Sequence, residues 1–154
     1  MSAPAAGNGR APRATTFAVG GVEYLVTGRI ARSLPAPRPL PPRFEHGGDE
    51  FPVVDLPAVF GSGEASECGP LLLLVERRSG ETSGGAVVRR ALVVEELVGT
   101  EVLDADALQP VPAVYPEAER RRWRGLLPRP DGRVAVVLRL EGLDGGAAAA
   151  EGEG

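Results

Sequence analysis

The chain has 154 residues, 43% apolar and 25% charged, which is ordinary for a soluble globular protein and long enough for one domain or two small subdomains sharing a core. Its net charge of −4 speaks against a nucleic-acid partner, and a single cysteine, Cys68, excludes an intrachain disulfide and a cysteine-based zinc site. With 21 glycines, 15 prolines and only 5% aromatics, the composition favours an all-β chain of short strands over a helical bundle.

Residues 1–14 are rich in small residues, glycine and proline. They can bury too little apolar surface to offset their ordering entropy, so a disordered tail is expected. They hold no apolar core of the kind a signal peptide needs, and the longest aliphatic run, residues 71–75, is far too short to span a bilayer. A cytoplasmic location without membrane insertion is the expectation.

Residues 15–19 read as a strand, Gly20 and Gly21 as a two-residue hairpin turn, and residues 22–26 as the return strand, with Val22, Tyr24 and Val26 on one face. Residues 28–34 suit a helical turn or an irregular edge. Residues 35–42 (PAPRPLPP) are extended and unfit for a sheet interior, which makes them a surface connection in preference to a ligand for an aromatic groove.

The chain is organised around residues 51–61, FPVVDLPAVFG. Pro52 fixes its own φ and lacks an amide donor, which suits a strand start, and Val53 and Val54 favour a pleated, half-buried surface. A strand is expected over 51–56, stopped by Pro57, with 58–60 as a short turn of helix before Gly61. Residues 62–70 read as a polar loop carrying Cys68, residues 71–76 (LLLLVE) as a strand buried on both faces, and residues 80–85 (GETSGG) as a turn.

Residues 86–103 then hold two strands with a bend near Glu95 and Glu96 or Gly99. Residues 104–115 are a loop, and residues 116–123 (PEAERRRW) place acids before arginines, the polarity a short helix prefers. Along 133–140, Val134, Val136, Leu138 and Leu140 alternate with Arg133 and Arg139 in a strand pattern, and residues 144–154 form a flexible acidic tail. The expected core comprises Val53, Val54, Leu56, Leu72, Leu74, Val134, Val136 and Leu138.

Among local motifs, residues 47–51 spell GGDEF, the signature of diguanylate cyclases. That chemistry also needs an upstream aspartate for metal and helices flanking the hairpin. No aspartate precedes Asp49, and a proline segment occupies the place of a helix, so Gly-Gly-Asp before Phe51 is read as a turn entering a strand. His46, the only histidine, has no nucleophile near it in sequence, and Cys68 sits in a polar loop. Arg120, Arg121, Arg122 and Arg124 around Trp123 could grip phosphates, but Glu117 and Glu119 share the segment and favour a solvated helix face with Trp123 anchored in the core. Asp104 and Asp106 suffice as turn formers. No Ser/His/Asp set, phosphate loop or metal-ligand spacing is present, so no catalytic residue, cofactor or metal site is expected.

Read end to end, residues 15–143 resemble the CheW-like family of chemotaxis coupling proteins. The resemblance rests on order and spacing. Residues 17–24 (FAVGGVEY) are similar to its opening hairpin, and residues 48–61 (GDEFPVVDLPAVFG) to its most recognisable segment. Residues 71–75 resemble the strand opening its second half, residues 92–99 (LVVEELVG) its VD-x-V-x-G segment, residues 108–112 its L-x-P-x-P loop, and residues 125–143 its closing strands.

The resemblance implies two small SH3-like β-barrel subdomains packed together with short helical turns, over roughly 15–68 and 69–143. It also implies a non-enzymatic adaptor that couples a chemoreceptor signalling tip to the regulatory domain of a CheA-type histidine kinase, with an interaction module of another signalling system as the alternative. An apolar groove between subdomains would take the receptor, and exposed barrel surface the kinase. The candidate partner-binding residues are Ile30, Arg32, Gly47, Gly48, Glu95 and Val98. Several depart from the family pattern. Gly47 stands where an arginine is usual, Arg32 replaces an acid, Glu95 replaces an aspartate, and the strand expected before Gly48 is nearly absent, since only residues 42–47 remain for it.

Overall fold

The computed structural model describes residues 12–60, 69–77 and 86–143. Cys68, Gly61, the turn expected at 80–85 and both expected tails, apart from residues 12–14, lie outside them. In chain order the strands are β1 (Arg13–Val19), β2 (Val22–Thr27), β3 (Arg29–Pro35), β4 (Arg43–His46), β5 (Asp49–Asp55), β6 (Pro70–Arg77), β7 (Val87–Val93), β8 (Glu96–Val102), β9 (Trp123–Pro128) and β10 (Val134–Leu138). Two short helices interrupt them, α1 (Leu56–Val59) and α2 (Glu117–Arg122), with 3-10 turns at Ala105–Ala107 and Leu140–Gly142.

The strands form two five-stranded curled sheets, in the orders β8-β1-β2-β10-β9 and β3-β6-β7-β5-β4. The fold is therefore all-β, as expected. The sheets are not the two sequence halves: the first takes residues 13–27 and 96–138, the second residues 29–93. A boundary near 68/69 falls inside the second sheet, between α1 and β6. Each sheet contains one parallel pair, β2 with β10 and β5 with β7, and the remaining pairs are antiparallel.

Alternation along the strands divides the apolar residues among three cores. Even-numbered residues of β6 and β7, Leu72, Leu74 and Leu92, and Val94 just after β7 meet Phe17, Val19, Tyr24, Val26, Val54, Leu56, Val136 and Leu138 in one core shared by both sheets. The odd-numbered neighbours, Leu71, Leu73, Ala91 and Val93, point the other way and fill the second sheet with Phe51 and Val53. Ala14, Leu25, Leu103, Leu127, Ala135 and Val137 fill the first. A strand whose two faces both meet apolar side chains reads as a continuous apolar run, which is why LLLL occurs in β6.

Turn chemistry sets the registers. Gly20 and Gly21 hold φ of 62° and 80°, the left-handed pair a two-residue hairpin needs, and they fix Val19 opposite Val22. Gly47 and Gly48, at 62° and 85°, do the same for β4 and β5. Asp55 leaves β5 in an extended conformation and Pro57 enters the first turn of α1, where a missing amide proton costs nothing.

Several expectations need correction. Of the two readings of residues 28–34, the irregular edge holds and the helical turn does not: Arg29–Pro35 is an edge strand with a register shift between Ile30 and Arg32. The strand before Gly48 is present, as four residues of β4 paired one-to-one with residues 49–52. β1 begins at Arg13, and Ala14 is fully buried, so these two residues belong to a strand and not to the expected tail. Val134 is 49% exposed because the parallel ladder to β2 starts only at Val136, leaving Val134 beyond the shared core. Val22, at the hairpin turn, is exposed for the same kind of reason. The other expected core residues are buried, and the proline segment lends Ala36 and Leu40 to the second sheet's core, while Val53 donates to the Pro42 carbonyl at 3.0 Å.

Candidate interaction surface

The six candidate partner-binding residues fall in four places. Ile30 and Arg32 lie on β3, one edge of the second sheet; Ile30 packs partly on the shared core and Arg32 is exposed. Gly47 and Gly48 form the turn of the β4–β5 hairpin at the opposite edge, where a Cβ added to either would meet nothing within 4 Å. The tip is therefore open surface, and its glycines answer to φ alone.

Glu95 lies in the bend that carries the chain from the second sheet back to the first. Its Oε1 accepts from the Gly20 amide at 2.8 Å, and its own amide donates to the Ala18 carbonyl at 3.1 Å. This carboxylate ties the bend to the first hairpin, a role that uses part of its capacity to meet a partner. Val98 is the extra residue of a β-bulge in β8, since Thr16 pairs with Gly99 and Phe17 with Leu97. It is 53% exposed, and Val102 farther along the same edge strand is 57% exposed. β3 begins beside this sheet, where the Gly28 amide donates to the Arg13 carbonyl at 3.3 Å.

The acids of the GGDEF stretch face arginines. Asp49 lies 3.5 Å from Arg89, and Glu50 lies 3.9 Å from Arg43, both pairs largely in solvent. Among the described residues no group of three or more His, Cys, Asp or Glu could hold a metal ion. His46 is half-buried, edge-on to Phe51 at 6.4 Å. Trp123 packs partly against the shared core and lies 5.0 Å from Tyr115, while α2 buries none of its own residues.

Three features were not legible in the sequence. Arg129 follows β9 and reaches across the first sheet: Nη1 and Nη2 donate to the two Glu101 oxygens at 2.8 and 2.9 Å, and Nε donates to Glu23 at 2.9 Å. Thr16 Oγ1 donates to Glu101 as well, at 2.9 Å. The Arg129 hydrogen bonds hold Glu101 below the usual carboxylate range against the opposing effect of burial, and the same bonds hold the guanidinium more firmly protonated than usual. The pairs span 28 and 106 residues, so no local pattern announces them.

Arg90 of β7 clasps the last turn of the described chain. Its Nε donates to the Leu143 carbonyl and its Nη2 to the Glu141 carbonyl at 3.2 Å. Beside that turn, a recess of about 240 Å³ is lined by Thr27, Glu76, Arg77, Arg124, Arg139, Leu140 and Glu141. Glu76 and Arg77 end β6 and the others belong to or follow strands of the first sheet, so the recess lies at the junction of the two sheets. Thr27, 4% exposed, donates to Glu76 through its hydroxyl and accepts from Arg124 at 3.4 Å.

Comparison with known proteins places this architecture. A family model described as CheW-like domain matches residues 19–145. The crystal structure of scaffolding protein TtCheW from Thermoanaerobacter tengcongensis is similar, with a TM-score of 0.57 and 15% sequence identity, covering 83% of this chain and 84% of that one. A search of curated proteins finds no match. At that identity the structural likeness speaks for the fold, and the family model speaks for the family.

Proposed function

The chain belongs to the CheW-like domain family, and from that premise we propose that it is a non-enzymatic adaptor of a chemosensory pathway, coupling a chemoreceptor signalling tip to the regulatory domain of a CheA-type histidine kinase in the cytoplasm. The observation that carries this reading is the family match over residues 19–145, laid on two sheets that share one core and leave open edges. An adaptor needs rigid, separately addressable surfaces and no reactive centre. The shared core supplies the rigidity, and the β3 edge, the β4–β5 tip and the β8 edge supply the surfaces.

Ile30, Val98 and Val102 are the apolar contacts such a surface would desolvate, with Arg32 on the charged rim, since a few buried apolar anchors inside a polar rim carry most of the affinity at interfaces of this kind. Gly47 and Gly48 offer exposed backbone at the hairpin tip. Glu95 contributes through the position it gives the first hairpin. The open edge of β8 also has unpaired backbone groups available for a partner strand.

The test is calorimetric titration of the chain with a receptor signalling fragment and, separately, with a kinase regulatory domain. Saturable one-to-one binding to each is expected, weakened at least about tenfold by Val98→Asp for one of the two partners. Absence of binding to both would leave the fold intact and the coupling role refuted.

A further inference from the structure

The recess at the junction of the sheets is not part of the surfaces proposed above. None of Ile30, Arg32, Gly47, Gly48, Glu95 or Val98 lines it. Its lining is polar apart from Leu140 and holds three guanidiniums, those of Arg77, Arg124 and Arg139, and two carboxylates, those of Glu76 and Glu141. Among the described residues that line it, guanidiniums outnumber carboxylates by one. Glu76 is engaged by the buried Thr27 hydroxyl, so Arg124 shares that hydroxyl as its acceptor at a long 3.4 Å. Among the described residues Arg77, Arg124 and Arg139 make no ion pair.

We propose that this recess receives one carboxylate, an Asp or Glu side chain of an acidic segment on a docked protein, held by Arg77, Arg124 and Arg139. Charge selects the class of group. A single carboxylate neutralises the excess, whereas a dianionic phosphate would invert it and stand close to Glu76 and Glu141. Guanidinium forks match a carboxylate in two-point geometry. The body of the occupant lies outside the recess, because Leu140 is the one apolar residue in the lining and a small free ligand would find little to desolvate against. That points to a protein partner, whose remaining contacts supply affinity while the recess selects for an acid at one position. The recess spans both sheets, so its occupant would bridge them.

This inference rests on the adaptor reading only for the partner's identity, and the experiment separates the two. Arginine Nε–Hε resonances are followed while sodium acetate replaces sodium chloride at constant ionic strength, with inorganic phosphate as a parallel arm. Saturable shifts of Arg77, Arg124 and Arg139 with acetate are expected, and they should vanish in the Arg124→Gln/Arg139→Gln double variant while Arg129 and Arg90 stay unmoved. Absent or unsaturable acetate shifts would overturn the proposal, as would phosphate binding at least tenfold tighter, which would mark a dianion site. The same double variant is then titrated with the receptor fragment and the kinase domain. About tenfold weaker binding to one of them is expected, restored only in part by Arg124→Lys/Arg139→Lys, which return the charge without the two-point fork. If the wild type binds and the variant binds both equally well, the recess proposal fails while the adaptor reading stands. If the wild type binds neither, the adaptor reading fails, and the acetate titration, which needs only wild-type protein, still decides the recess.

Discussion

Replacing Arg129 by methionine keeps much of the side chain's bulk and removes the guanidinium that Glu101 and Glu23 share. The Glu101 side chain is 33% exposed and that of Arg129 20%, so their two-point pair is only partly screened, whereas Glu23 at 37% warrants a discount. Hydrogen bonds to charged groups contribute about 1.5–3 kcal/mol, and the loss leaves Glu101 with Thr16 alone, so a cost of about 2 kcal/mol at neutral pH is expected. That corresponds to a fall in melting temperature of roughly 4–8 °C for a chain of this size. Because the folded state lowers the Glu101 pKa, the stabilisation is fully present above the usual glutamate value near 4.5 and is lost as pH falls through the depressed value. Urea unfolding of wild type and Arg129→Met at pH 7 and near pH 3 measures this directly. The difference should be large at pH 7 and shrink at the acid end. An equal difference at both pH values would mean the residue acts through packing, and no difference at pH 7 would refute the electrostatic argument.

Leu72→Ala, in the core shared by both sheets, should cost about 2–5 kcal/mol and should lower the stability of both sheets together, read as a single transition in hydrogen exchange of β2 and β7 amides. Independent protection losses in the two sheets would contradict a shared core. Gly69→Ala should prevent folding, since its Cβ would stand 2.1 Å from the Val94 carbonyl oxygen, while Gly48→Ala, with open space but a φ of 85°, should cost only about 1–2 kcal/mol. Circular dichroism melts of the two variants rank them, and equal stability would overturn the close-approach argument.

The elements with a local signature were legible. The Gly20–Gly21 hairpin follows from two glycines between apolar runs, and the burial of β6 from its unbroken leucines. The end of β5 at the switch to α1 follows from Pro57. What escaped depends on long-range partners. β9 carries Gly125 and ends on Pro128, a weak strand by composition, and it exists because Gly125 lets the chain pass Gln109 and Leu108, which an added Cβ would meet at 2.7 Å. β3 could be a strand or a helical turn until β6 offered a ladder. Alternation in β10 pointed to one buried face, but Ala135 and Val137 are buried as well, because the other side of the curled sheet encloses a core of its own.

The candidate surface was legible only in pieces. Ile30, Arg32, Gly47, Gly48, Glu95 and Val98 were named from a resemblance, and three-dimensional placement spreads them over two sheet edges, a hairpin tip and a bend. Glu95 shows why. In sequence it is an acid in one slot of a motif, while in the fold one of its carboxylate oxygens accepts from the Gly20 amide. The Arg129 cluster and the junction recess draw on residues far apart in the chain, and only closure of the first sheet and its packing on the second bring them together.

The coupling role is tested most directly by analytical sedimentation of this chain mixed with a receptor signalling fragment and a kinase regulatory domain at equal concentration. The account predicts one species containing all three, absent when this chain is left out and diminished by Val98→Asp. Receptor fragment and kinase domain sedimenting unchanged, with this chain running alone beside them, would contradict it.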